Sequence, residues 1–173
     1  GVNLFILHLF AHQAYENMIP GLTHRKWGVH FNRYNTWWKY STAWFDYLNR
    51  SQFMLQQGDF VADVCYFFGE GAPIHVRDIK LNLPHGYDYD VCSSDMVQQM
   101  EVRDGRIVLP SGMSYRYLLL PDLDKLTLAS AEKIQELVES GALVIAQKQI
   151  TGTPGLTGYP EANKKVRQIA DEL

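Results

Sequence analysis

The chain has 173 residues, 46% of them hydrophobic, enough for one sizeable core and short for two independent ones. Sixteen Lys and Arg against nineteen Asp and Glu give a formal charge of −3, with no basic block to follow a phosphate backbone, which argues against a nucleic-acid partner. Cys65 and Cys92 are too few for a disulfide framework and lack zinc-site spacing, and no apolar run reaches the roughly eighteen residues of a membrane span.

The opening run "GVNLFILHLFAH" is apolar on both period-two faces until its end, the pattern of a strand buried on both sides in a parallel sheet. It starts without Met and inside an apolar stretch, as a piece of something larger would. Its histidines, His8 and His12, share one face. They suit either a polar, ligand-facing role or a satisfied structural one; with Leu9 between them no HExxH zinc motif forms.

Residues 13–35 form a long polar and aromatic connection punctuated by Pro20-Gly21, of a length that usually carries function. Trp27, His30, Phe31 and Arg33 lie in it. Aromatic faces beside Arg and His suit a sugar, whose C–H face stacks while its hydroxyls take charged hydrogen bonds. Thr36 then reads as the N-cap of a helix over 36–57 that Gly58 stops, with Trp37, Trp44, Leu48 and Leu55 as its buried stripe.

"DFVADVCYFFGE" restarts a strand. A short helix follows near 93–99, then a hairpin around Asp104-Gly105, and the strand "YRYLLLP". Thr127 caps an amphipathic helix bearing Leu128, Ala131, Ile134, Leu137 and Val138, closed by Gly141. "ALVIAQ" is the next strand, and a last helix begins near Asn163. This β-α alternation predicts an open, mostly parallel, doubly wound sheet of flavodoxin or class I amidotransferase type.

That fold invites sites the residues do not supply. Neither cysteine has the flanking glycines of a nucleophile elbow. The segment after the first strand, "GEGAP", places a glutamate where a flavodoxin cradles phosphate. "TGTPGLTG" at 151–158 reads as an exposed loop, and no dinucleotide fingerprint occurs, so no cofactor is expected. Among carboxylates near loops or strand ends, Glu16, Glu70, Asp88 and Asp90, Glu70 is the best placed, although a carboxylate after a strand is more often a helix cap.

The segments "FAHQ", "WGVHFNRYNTWW", "QQGDFVADVCYFFGEGAP", "GYDYD" and "DGRIVLPSGMSYRYLLLP" together resemble the bacterial α-L-rhamnosidases of glycoside hydrolase family 106. The resemblance runs over nearly the whole chain. It implies a multidomain parent with a (β/α)8 catalytic barrel followed by a doubly wound, amidotransferase-like domain. Residues 1–58 would then be the last strand, loop and helix of the barrel, and 59–173 the accessory domain. It further implies inverting hydrolysis of terminal α-L-rhamnosides, a periplasmic or secreted location, and calcium near the sugar in the parent. The catalytic acid and base would sit on earlier barrel strands, leaving none of this chain's carboxylates or metal ligands with an inherited role. His8, His12, Trp27, His30 and Arg33 remain as substrate contacts on the barrel rim. A strand without its barrel neighbours should be buried against another chain, swapped or repacked, which would make homo-oligomers. The competing reading is a non-catalytic α/β module that packs on a barrel or a sister subunit.

Overall fold

The computed structural model describes residues 2–19, 21–23, 25–27, 31–71, 73, 75, 76, 79 and 81–173, with Arg25 described by its backbone alone. The chain divides into two compact units, Gly1–Asp59 and Phe60–Leu173.

The second unit holds the core. Its sheet orders as β2-β1-β6-β7, made of β1 (Val64–Phe67), β2 (Tyr89–Cys92), β6 (Tyr117–Leu120) and β7 (Leu143–Ala146), all parallel. From β1 the chain moves outward to β2, then returns past β1 to β6 and β7. The order therefore reverses between β1 and β6, as in doubly wound folds. A separate antiparallel sheet contains β3 (Glu101–Arg103), β4 (Arg106–Val108) and β5 (Ser114–Tyr115). The β3–β4 turn is the expected hairpin, with Asp104 and Gly105 at φ of 52° and 70°, the type I′ geometry that matches strand twist.

Three helices follow the parallel strands: α2 (Ser94–Val97), α3 (Leu128–Glu139) and α4 (Glu161–Glu172), the first helix of the chain being α1 (Thr42–Leu55). Residues two apart on a strand share a face, so Cys65 and Phe67 of β1 line up with Leu118 and Leu120 of β6 and meet Ile134, Leu137, Val166 and Ile169 in one buried cluster. Each of the Phe, Leu, Ile and Val side chains contributes about 1.5–3 kcal/mol by leaving water. The opposite face is less covered toward β7, where Leu143 and Ile145 are about half exposed. The parallel strands are thus not buried on both faces to the same degree.

The first unit departs from the sequence reading at three points. Residues 2–9 form no strand; the segment contributes a single parallel bridge, Phe10 to Phe31. A strand needs a neighbour's backbone, and among the described residues none pairs with it beyond that bridge. Two side-chain bonds carry the segment along α1, from Phe5 N–H to Gln52 Oε1 (2.7 Å) and from Gln56 Nε2 to the Asn3 carbonyl (3.0 Å). Yet Val2 and Ile6 are 65% and 85% exposed, so within one chain the segment is not buried as expected.

Helix α1 also starts later than Thr36. Trp38–Tyr40 form a 3-10 turn first, Ser41 precedes α1 without a side-chain cap, and the helix ends at Leu55. Because of that turn the adjacent indoles pack on different partners, Trp38 on Phe10 and Trp37 on Phe31. Finally, the tryptophans do not bury the helix. Trp37 and Trp44 are 40% and 41% exposed, and α1 has no buried residue. What holds them is an aromatic cluster: Phe31 lies parallel to Trp44 at 6.1 Å between centroids, and Phe45 contacts both Trp38 and Trp44.

Candidate functional site

In the first unit, the long loop is tied by side chains rather than by regular structure. Gln13 is largely buried and clamps Leu22 at both backbone groups: Nε2 donates to the Leu22 carbonyl (2.9 Å) and Oε1 accepts from Leu22 N–H (2.8 Å). The amide thereby replaces a missing strand partner. Gly21 makes this close approach feasible, since its φ is +81° and a Cβ there would lie 1.6 Å from Gln13 Oε1. The other end is fixed by Tyr34, whose hydroxyl donates to the Glu16 carbonyl (2.9 Å). Asn32 is buried beneath it, with Oδ1 accepting from Tyr34 N–H (2.8 Å).

The expected sugar contacts sit around this framework. Trp27, in a 3-10 turn over Arg25–Trp27, is 59% exposed with the Lys26 ammonium 5.0 Å from its ring centroid. Arg33 is exposed; it donates from Nη2 to the Tyr34 hydroxyl (3.1 Å) and lies over that ring at 4.9 Å. Each therefore engages a sequence neighbour. His8 and His12 are exposed, and His30 lies outside the described residues. Gln13, Asn32 and Tyr34, which shape the loop, carry no local motif that would have singled them out.

In the second unit, Glu70 follows β1 and spans to the start of α3. Its Oε2 accepts from Thr127 N–H (2.6 Å), while Oε1 accepts from the hydroxyls of Thr127 (2.7 Å) and Ser130 (2.7 Å). Thr127 Oγ1 in turn accepts from Ser130 N–H (3.3 Å), the N-cap bond expected from sequence. The helix-cap reading of Glu70 is the one the geometry supports, and a carboxylate at the positive end of a helix suits the dipole as well. It also fills the place an anionic ligand would take.

Two other buried polar groups are structural. The Tyr115 hydroxyl donates to Asp90 Oδ2 (3.0 Å), and burial, then Asp90's charge and hydrogen bond, push its ionisation well above the ordinary tyrosine range. Cys65 is pushed up by a hydrogen bond with the Cys92 thiol and by burial, so neither lies in the electropositive, exposed setting of a reactive cysteine. Among the described residues, no group of three or more His, Cys, Asp or Glu could hold a metal ion. No helix among them is long and apolar enough to cross a membrane.

A parallel α/β unit with a self-capped helix, preceded in sequence by a unit built on an aromatic loop, defines a two-unit α/β chain. The chain belongs to glycoside hydrolase family 106, described as alpha-L-rhamnosidase, whose model matches residues 1–173. It is 40% identical over 173 residues, all of this chain, to a putative beta-glucuronidase of Formosa agariphila, and spans 15% of that relative's length. The solved structure of a rhamnosidase from Novosphingobium sp. PP1Y is similar at a TM-score of 0.64 and 31% identity, covering 84% of this chain and 14% of that one.

Proposed function

We propose that this chain is part of a larger enzyme that hydrolyses terminal α-L-rhamnosides with inversion, and that it supplies a rim of the sugar pocket but not the catalytic carboxylates. The family match over the whole chain carries the substrate class. The absence of an acid–base pair here rests on Glu70, the best-placed carboxylate, whose two oxygens are committed to Thr127 and Ser130. An inverting glycosidase needs two carboxyl groups about 6.5–9.5 Å apart, one protonating the leaving oxygen and one activating water. In this reading Gly1–Asp59 is the last strand, loop and helix of a (β/α)8 barrel, and the exposed apolar residues 2–10 pair with barrel neighbours or a second copy. His8, His12, Trp27, His30 and Arg33 touch the sugar, with Trp27 offering a stacking face and Arg33 a charged donor. Unit 2 is then the accessory domain.

Incubation with an aryl α-L-rhamnoside tests this. The 173-residue chain alone should show no turnover, whereas the whole polypeptide that carries it should release β-L-rhamnose as the first anomer seen by proton NMR. Turnover by the chain alone that Glu70→Gln abolishes would sink the assignment. The name of the Formosa relative favours a second substrate, so an aryl β-D-glucuronide belongs in the same assay. Cleavage of that substrate alone would replace rhamnose with glucuronic acid.

A further inference from the structure

The parallel sheet of unit 2 ends on β7, whose inner edge pairs with β6 from Tyr117 with Leu143 to Leu120 with Ala146. No strand among the described residues pairs with its outer edge. Edge strands are ordinarily guarded by charge, proline or a bulge. The opposite edge, β2, follows that rule with Asp90 in "YDVC", whereas β7 is "LVIA", apolar on both faces as an interior parallel strand is. Beside it lies a hollow of about 350 Å3 between β7 and α4, lined by Val144 and Ala146 from the strand and by Val166, Ala170 and Leu173 from the helix side. Val144 and Ala146 stand in register with Leu118 and Leu120, so the hollow lies on the helix-covered face of the sheet.

The connections already made decide where a further strand would go. Crossovers between parallel strands are almost always right-handed, so the face a connection runs over fixes the direction in which the chain steps along the sheet. From β6 to β7 the chain steps outward through α3, which packs on the face carrying Leu118 and Leu120. The return from β2 to β6 steps the same way, and its Val97 and Ile107 join the same buried cluster. Helix α4 sits there too: Val166 and Ile169 belong to the cluster, Gln135 Nε2 of α3 donates to Glu172 Oε2 (3.2 Å), and Lys165 pairs with Glu132. A chain leaving α4 for the sheet therefore steps outward again, onto the free edge of β7.

We infer that the polypeptide continuing beyond α4 adds a fifth strand to the four-stranded sheet, parallel to β7 along its outer edge, with the side chains of one face filling the hollow. The site sets the chemistry of that segment: an extended apolar run, rich in β-branched residues, beginning about 2–6 residues after the helix. The inference rests on the proposed reading of this chain as part of a longer protein, with which its span of 15% of the Formosa relative agrees. The test compares amide hydrogen exchange in the 173-residue chain and in the same chain extended by about fifteen residues of its parent sequence, a loop and one strand. Exchange across Leu143–Ala146 should slow roughly tenfold or more in the extended chain, while Tyr89–Cys92 at the opposite edge stays unchanged. Prolines at two alternate positions of the added strand remove its donors and should abolish that protection. An unchanged rate across Leu143–Ala146, protection gained at Tyr89–Cys92 instead, or protection that survives the prolines would each overturn the inference. So would protection already present in the 173-residue chain that rises with its concentration, which would give the edge to a second copy. Exchange reports strand pairing and not turnover, so the inference can fail while the whole polypeptide hydrolyses rhamnosides, and the reverse.

Discussion

Glu70 shows how a single side chain settles between a chemical and a structural role. Three hydrogen bonds converge on it, one from a backbone N–H and two from hydroxyls, and bonds to an ionised acceptor are worth about 1.5–3 kcal/mol each before desolvation and solvent screening are deducted. Glu70→Ala should therefore lower stability by about 2 kcal/mol, read as a fall in urea midpoint at constant slope. Thr127→Ala alone should cost about 1 kcal/mol. The double variant should cost less than the sum, since both act on one cap; strict additivity would mean that the carboxylate and the hydroxyl work independently. Tyr115 makes a second prediction at this scale. Its folded-state pKa is raised, so the neutral phenol is favoured by folding. That contribution is complete below the unfolded value near about 10 and is lost as pH climbs from there toward the folded value. Spectrophotometric titration should find a tyrosine that ionises only on alkaline unfolding, and Tyr115→Phe should remove that late component. If every phenol titrated near the ordinary value in the folded chain, the buried Asp90 contact would be wrong.

At the level of elements, local chemistry was readable wherever it was self-contained. Helix α3 announced both its ends: Thr127 supplies the N-cap, and Gly141, at φ +98°, closes it with two bonds, Gly141 N–H to the Val138 carbonyl (2.9 Å) and Ala142 N–H to the Leu137 carbonyl (2.8 Å). A Cβ at Gly141 would meet nothing within 4 Å, so Gly141→Ala should cost only the left-handed backbone term, about 1–2 kcal/mol. Gly141→Asn should cost less, and equal losses for the two in thermal melts would contradict a purely conformational origin. Strand β2 was not readable. "YDVC" alternates too little, and it exists because β1 offers a parallel edge in register from Val64 with Tyr89 to Phe67 with Cys92. Strand β5 is likewise two residues long and depends on β4. The late start of α1 accompanies ring contacts that periodicity does not record, Trp38 on Phe10 and Trp37 on Phe31. Periodicity records which face an element buries. It does not record which neighbour arrives.

Across the whole molecule, the two units differ in what they contain. Among the described residues, every buried hydrophobic one, from Ala62 to Ile169, belongs to Phe60–Leu173, while the buried side chains of Gly1–Asp59 are Gln13, Asn32 and Ser41, all polar. The candidate sugar contacts fall in the unit without an apolar core, which is why sequence could name Trp27 and Arg33 as exposed but could not arrange them. Their framework is the Gln13 and Tyr34 tethers, and polar tethers leave no periodic trace. The same contrast predicts independent folding of one part only. A polypeptide of residues 60–173 keeps the complete buried cluster and should unfold in one cooperative transition. Residues 1–59 bury too little apolar surface to offset a backbone cost of about 1–2 kcal/mol per residue, and should give no cooperative melt by circular dichroism. The separated first unit should also self-associate at rising concentration, because Val2, Leu4 and Ile6 stay exposed on a segment held by two side-chain bonds rather than by a strand neighbour. Replacing Ile6 with Lys should suppress that association without touching the fold of 60–173. A cooperative melt for residues 1–59 alone would show that the aromatic cluster of Phe31, Trp37, Trp38, Trp44 and Phe45 is itself a sufficient core. The boundary at Asp59 would then separate two autonomous domains rather than a stable domain and a dependent one.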